Sequence, residues 1–304
     1  MQSVLSKSSN LLRPVIGSDT LKNFAEMSST AFKTLSVGVP KEYVYHIKLN
    51  RPEKRNAFNH AMWLEIKQCF EQISEDENCR AVVVSGEGKM FTAGIDLSDF
   101  VTTAQQVGEK DDVARKAKIF HKLIETYQAS MTSLELCKKP ILAAVHNACI
   151  GAGVDLITAA DIRYCSKDAW FQVKEVEVGL AADVGSLQRL PKVIGSDSLA
   201  RELCYTARKM HADEALTCGL VSRVFGTHNE LLEETLKIAE VIAKKSPVAV
   251  QTTKANLLYS RDHTVQEGLD HIKLWNQLNL QSEDLVQAAT GVMTKDEDVK
   301  FSKL

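Results

Sequence analysis

The amino-acid sequence predicts an α/β fold whose C-terminal part is helical. Two observations carry this expectation. Short apolar, β-branched runs alternate with amphipathic segments between about residues 43 and 165, and from about residue 195 the chain is mostly at helical spacing. At 304 residues the chain is long enough to bury a sizeable core.

Each element follows from its local pattern. Tyr43, Tyr45, Ile47 and Leu49 alternate with Val44, His46 and Lys48, which predicts a strand that Arg51-Pro52 ends. Met62, Ile66, Phe70 and Ile73 recur at helical spacing and predict a helix over 60–75. Ala81-Val82-Val83-Val84-Ser85-Gly86 predicts a buried strand, and 113–136 a long helix stopped by Lys138-Lys139-Pro140. Residues 140–145 and 162–165 predict two further strands, with a Gly-containing turn and a helix between them. Amphipathic helices are expected over 230–245, 247–260, 264–280 and 283–292. The expected organisation is therefore a core domain over 36–225 and a helical region over 226–304, with residues 1–35 set apart as a targeting or flexible segment. That first stretch carries Lys7, Arg13, several serines and no acid before Asp19, as organellar transit peptides do. The chain ends in Ser302-Lys303-Leu304, the tripeptide read by the peroxisomal import receptor.

Composition narrows the function. A hydrophobic share of 44%, a charged share of 25% and a net charge of −2 fit a globular protein and give no reason to expect nucleic acid or an anionic membrane as a partner. No run of about eighteen apolar residues predicts a membrane span. Seven scattered cysteines without a C-x-x-C pair predict free, mostly buried thiols, and no His/Cys/Asp cluster has metal-ligand spacing. Gly151-x-Gly153 lacks the remainder of a dinucleotide fingerprint.

The chemistry concentrates in two Gly-containing turns and three acids. Phe91-Thr92-Ala93-Gly94-Ile95-Asp96-Leu97 and Cys149-Ile150-Gly151-Ala152-Gly153-Val154-Asp155 each follow a predicted buried strand. Backbone N–H groups freed there can converge on one developing negative charge, although tight turns without function are also common. Asp155 and Asp183 stand among apolar or small residues, where a raised pKa suits proton transfer, and Glu175 lies in Phe171-Gln172-Val173-Lys174-Glu175-Val176. The competing readings are a helix cap for Asp155 and a salt bridge to Lys174 or Arg189 for Glu175. His146, after a buried strand, reads as a packed histidine.

Taken together these segments resemble the enoyl-CoA hydratase/isomerase (crotonase) superfamily. Leu49-Asn50-Arg51-Pro52-Glu53-Lys54-Arg55-Asn56-Ala57-Phe58 resembles its first coenzyme A-contacting loop, and Phe91–Leu97 its first oxyanion turn. Pro140–Asp155 resembles its second turn and catalytic helix, followed by Ala159-Ala160-Asp161-Ile162-Arg163. The resemblance covers about residues 40–300. It implies an α/β, crotonase-like spiral of ββα units with a C-terminal helical trimerisation region, assembled as a homotrimer or homohexamer. It implies oxyanion donors at the backbone N–H of Ile95 and of Ala152, where the family usually has Gly. It implies substrate contacts at Arg51, Lys54, Arg55, Ala57, Ala93, Gly94, Ile95, Asp96, Leu97, Ser98 and Gly153. No cofactor is implied, because coenzyme A is part of the substrate. A typical hydratase has Glu at both positions matched by Asp155 and Glu175. Asp at the first, with a third acid at Asp183 inside Val178-Gly179-Leu180-Ala181-Ala182-Asp183-Val184-Gly185, resembles the dienoyl-CoA isomerase branch. That implies shifting the double bonds of a 3,5-dienoyl-CoA to the 2,4 positions during β-oxidation of unsaturated fatty acids. Hydration of a 2-enoyl-CoA, or acyl-CoA binding without turnover, are the alternatives.

Overall fold

Every segment predicted as a strand forms one in the computed structural model, which describes residues 32–109, 112–296 and 298–304. Most of the 1–35 targeting segment therefore lies outside the described residues. Residues Phe32–Leu304 form one unit. The strands β1 (Leu35–Lys41), β2 (Val44–Leu49), β3 (Ala81–Gly86), β4 (Ile141–Val145), β6 (Ile162–Ser166) and β9 (Arg223–Phe225) make a sheet in the order β1-β2-β3-β4-β6-β9. All neighbours in it are parallel except β1 and β2. Strand β1 corrects the expected boundary, because Leu35 is already paired with Leu49.

The alternation in β2 predicts one buried and one open face, yet only Lys48 of its six residues is not fully buried. A strand inside a sheet that is covered on both faces is buried throughout, so polar residues there must find internal partners. His46 meets Ser85 at 2.8 Å, and Tyr45 donates to Asp76 at 2.6 Å. One face of the sheet (Val44, Ala81, Val83, Leu142, Ala144, Tyr164) packs on Leu231, Ala239 and Ala243 of α8 (His228–Ala243).

A second, three-stranded sheet was not legible in sequence: β5 (Ala148–Ile150), β7 (Trp170–Gln172) and β8 (Met210–His211), in the order β5-β7-β8. Its strands have two or three residues, too few for an alternation to register. It explains the architecture. Strand β4 enters the large sheet, β5 the small one, and α4 (Ala152–Ala159) follows. Strands β6 and β7 repeat the step before α5 (Ser186–Ile194) and α6 (Asp197–Thr206). The chain thus winds as ββα units. Thr92 takes the same place beside β5 through a parallel bridge to Cys149.

The helices between these are α1 (His60–Glu75), α2 (Leu97–Gly108), α3 (Val113–Leu136) and α7 (Ala212–Thr217). After Phe225 the described elements are all helices: α8, α9 (Pro247–Ser260), α10 (Val265–Asn279) and α11 (Glu283–Thr294). Caps set their starts. Thr264 and Glu267 form a reciprocal capping box at α10, and Pro247 opens α9 where its missing N–H costs nothing. Six of the seven cysteines are buried and all are free, as their scatter predicts. His146 is packed, its ring stacked on His228 at 3.7 Å with Nε2 against the Gly88 carbonyl at 3.0 Å. Among the described residues no helix is long and apolar enough to cross a membrane, and no group of three His, Cys, Asp or Glu could hold a metal ion.

Candidate active site

The small sheet stacks three chain segments so that the turns leaving them arrive at the same place. The Thr92 N–H donates to the Ala148 carbonyl at 3.0 Å, and the Gly151 N–H donates to the Gln172 carbonyl at 2.9 Å. The turns after Thr92, Ile150 and Gln172 therefore lie side by side, and they carry Ile95, Ala152 and Glu175. The Phe58 N–H and Phe58 carbonyl, bonded to the Gly94 carbonyl at 2.8 Å and the Asp96 N–H at 2.9 Å, fix the first turn from the other side. Those two bonds use the groups flanking Ile95 and leave its own N–H without an acceptor among the described residues. The Ala152 N–H opens helix α4 and likewise has none, as the first N–H groups of a helix do.

Gly151 is the residue on which this junction turns. Its φ of +50° with ψ of −114° is closed to residues bearing a Cβ, and a Cβ there would lie 3.0 Å from Glu175 Oε1. Gly151→Ala is expected to destabilise the fold by about 1–3 kcal/mol and to displace Glu175. Thermal unfolding and turnover should both show the loss.

Beneath the turns is a cavity of about 320 Å³. The three acids singled out in the sequence, Asp155, Glu175 and Asp183, all line it, as do Ile95 and Ala152. Its remaining wall is largely apolar: Trp63 from α1, Leu97 and Phe100 from α2, and Phe120, Leu123, Ile124 and Tyr127 from α3. The α3 residues were missed as site residues. Their spacing of three, four and seven is the signal of one helix face, but spacing does not say whether that face meets protein or a ligand.

Each acid has a distinct environment. Asp155 is 2% exposed on α4 and accepts the Ser186 N–H at 2.5 Å. It thus caps α5 rather than its own helix, whose start at Gly151 has no side-chain cap. Burial raises its pKa to about 6, against the opposing pull of Ser186 and Arg189. Glu175 opens a 3₁₀ turn over Glu175–Val178. The salt bridge considered for it does not form, because Lys174 pairs with Glu177 at 2.7 Å and Arg189 with Glu135 at 2.9 Å. Its Oε2 is buried with no partner among the described residues. Burial, then the Asp155 carboxylate, push Glu175 up to about 7. Asp183 differs from expectation. Leu180, Ala181 and Val184 line the cavity around it, but its side chain remains open at the mouth. Partial burial still raises its pKa.

The expected substrate-contacting residues divide into four groups. Ala93, Gly94, Ile95 and Leu97 line the cavity. Arg51 is engaged by Asp96 at 3.1 Å, and Asp96 takes the Ser98 hydroxyl at 2.6 Å; these bonds hold Asp96 below the usual carboxylate range. Lys54 and Arg55 are exposed and make no salt bridge among the described residues. Ala57 is buried beside the first turn, and Gly153 lies behind the second, against Thr92 and Cys149. The whole is a largely apolar pocket lined by Ile95 and Ala152, whose N–H groups have no acceptor among the described residues, and by three carboxyl groups of raised pKa.

The chain matches the enoyl-CoA hydratase/isomerase family model over residues 40–296. It is 54% identical over 281 residues to the mitochondrial Δ(3,5)-Δ(2,4)-dienoyl-CoA isomerase of Rattus norvegicus, covering 92% of this chain and 86% of that protein. It is 42% identical over 281 residues to the peroxisomal Δ(3,5)-Δ(2,4)-dienoyl-CoA isomerase of Arabidopsis thaliana, covering 91% of this chain and all of that one. Among solved structures, enoyl-CoA hydratase from Bacillus anthracis superposes with a TM-score of 0.80 at 27% identity, over 89% of this chain and 99% of the other.

Proposed function

This chain belongs to the enoyl-CoA hydratase/isomerase family, and from that premise we propose that it is an isomerase converting 3,5-dienoyl-CoA to 2,4-dienoyl-CoA in the β-oxidation of unsaturated fatty acids. The observation that carries the reading is the meeting of three carboxyl groups and two open N–H donors in one apolar cavity. The reaction needs each of them. The thioester acidifies C2, and Glu175 takes a C2 proton. The resulting charge spreads from the thioester oxygen to C6, and the N–H groups of Ile95 and Ala152 stabilise its oxygen end. Asp183 returns a proton to C6, so the C3=C4 and C5=C6 bonds become C2=C3 and C4=C5. Asp155, bound by Ser186, tunes Glu175 rather than activating water. The scheme is redox-neutral and needs no cofactor, coenzyme A entering as part of the substrate. Lys54 and Arg55, exposed and without a salt bridge among the described residues, would meet its phosphates.

Turnover of a 3,5-dienoyl-CoA, followed by the ultraviolet absorbance of the conjugated product, tests the reading. Fast hydration of a 2-enoyl-CoA without diene isomerisation would favour a hydratase. Coenzyme A binding with no turnover of either would favour a binding scaffold. With Glu175 as base, kcat/KM should fall as pH drops through about 7, because the carboxylate must be ionised to accept the proton and the coupled pair with Asp155 holds its value there. A pH profile flat from 5 to 8 would remove Glu175 from the role.

The same proposal extends to assembly and location. Leu257, Val265, Leu274, Leu278 and Val286 are large apolar side chains exposed on α9, α10 and α11. Burial between copies in a homotrimer or homohexamer would account for them. The core, from Leu35 to about residue 225, and the helical region over 226–304 then serve catalysis and assembly respectively. Ser302, Lys303 and Leu304 are exposed, as engagement by an import receptor requires. Peroxisomal delivery, with mitochondrial delivery through the N-terminal segment, completes the proposal.

A further inference from the structure

The loop carrying Asp183 is held at three backbone groups in or beside it by three side chains. Gln128 Nε2 donates to the Asp183 carbonyl at 2.7 Å, Arg189 Nη1 to the Val184 carbonyl at 3.5 Å, and the Ser186 N–H donates to Asp155 at 2.5 Å. Of the three, Arg189 is the most constrained. Its side chain is 10% exposed. Nη2 donates to Glu135 at 2.9 Å and to Thr132 Oγ1 at 3.2 Å, while Nε reaches the other Glu135 oxygen at 3.3 Å. Arg261 from the C-terminal helices takes a second hold on Glu135. Above the guanidinium lies Gly185 at φ +142°, where a Cβ would run into Nη1. The loop is draped directly over the cation, and only glycine permits that approach.

We propose that Arg189 is a positioning residue for the proton-delivering half of the reaction, its buried guanidinium setting the Asp183–Gly185 loop so that the Asp183 carboxyl reaches C6. This rests on the isomerase reading above. A planar fork that spans both Glu135 oxygens, a hydroxyl and a loop carbonyl is a geometry a lysine ammonium cannot reproduce. Arg189 makes no hydrogen bond to Glu175 or to the two oxyanion N–H groups; its route to that end is the pull of its charge on Asp155, which Arg189→Lys retains. The guanidinium geometry therefore acts on one end of the diene, whereas a residue that merely supports the fold would affect both ends.

The two ends can be read separately. Exchange of the C2 protons of 3,5-dienoyl-CoA into D₂O, measured by mass spectrometry, reports Glu175 and the oxyanion donors. Absorbance of the conjugated product reports protonation at C6. Arg189→Met and Arg189→Lys should each lower isomerisation about 100-fold, as expected for a misplaced reacting group. In Arg189→Lys, which keeps the charge facing Asp155, C2 exchange should stay within about threefold of the parent enzyme. Gly185→Ala changes no charge and displaces the same loop, so it should give the same separation, and it supplies the test if Arg189→Met does not fold. Equal loss of exchange and isomerisation, or unchanged isomerisation, would overturn the positioning role while leaving the isomerase intact. A parent enzyme that cannot isomerise the diene overturns both.

Discussion

Glu175→Gln is expected to lower kcat for diene isomerisation by about 10³-fold or more, at the upper end of what one positioned acid–base group contributes. It should abolish C2 exchange as well, because no other carboxyl among the described residues has both the place and the freedom to act. Asp155 is occupied by Ser186, and Asp183 stands at the mouth. The same substitution should raise thermal stability at alkaline pH. A carboxyl raised to about 7 is held protonated more tightly in the folded chain than in the unfolded one. Its ionised form is therefore a cost to the fold above pH 7, relieved as pH falls toward the ordinary glutamate range. Glu175→Gln removes the ionisable group, so its gain in Tm should be largest near pH 8 and vanish near pH 4. A variant that is inactive yet no more stable at pH 8 than at pH 4 would contradict the burial argument. Activity lost together with stability gained marks a group kept for chemistry at the expense of the fold.

Much of this site was legible in the sequence because its parts are punctuated by residues with few uses. Two Gly-containing turns after apolar runs, and acids among small apolar residues, are visible without coordinates. The strands of the large sheet and the long helices were equally visible, their periodicity running for five residues or more. What escaped was whatever depends on chain segments far apart. The small sheet has no strand longer than three residues, yet it aligns the turns of Ile95, Ala152 and Glu175. The apolar wall from α3 could be read as a helix face but not as facing a cavity. The partners of Arg189 were misassigned because Glu135, 54 residues away, offers it a bidentate carboxylate that Glu175 does not. The exposure of Asp183 was missed because apolar neighbours in sequence form the rim of an opening rather than a lid.

Asp183→Asn carries the assignment of the reaction itself. An amide cannot give up a proton to carbon, so isomerisation should fall about 10²- to 10³-fold, the range typical of a lost general acid. C2 exchange should persist, since Glu175, Ile95 and Ala152 are untouched. The exchange distinguishes this chain from a hydratase. There, both acids work on one water molecule beside the double bond, and a third acid at the mouth has nothing to donate to. Here the third acid sits on the loop after the 3₁₀ turn of Glu175, in the same cavity but on a different segment. That placement suits a substrate whose two proton-exchanging carbons are four bonds apart, too far for one short side chain to serve both. Its exposure fits as well. An acid that must be protonated to act, and must recover its proton after each turnover, benefits from contact with water while the site is empty and from an acyl chain covering it when the site is full. If Asp183→Asn isomerises at near the parent rate, C6 receives its proton from elsewhere, and the exposed carboxyl at the mouth has no part in the chemistry.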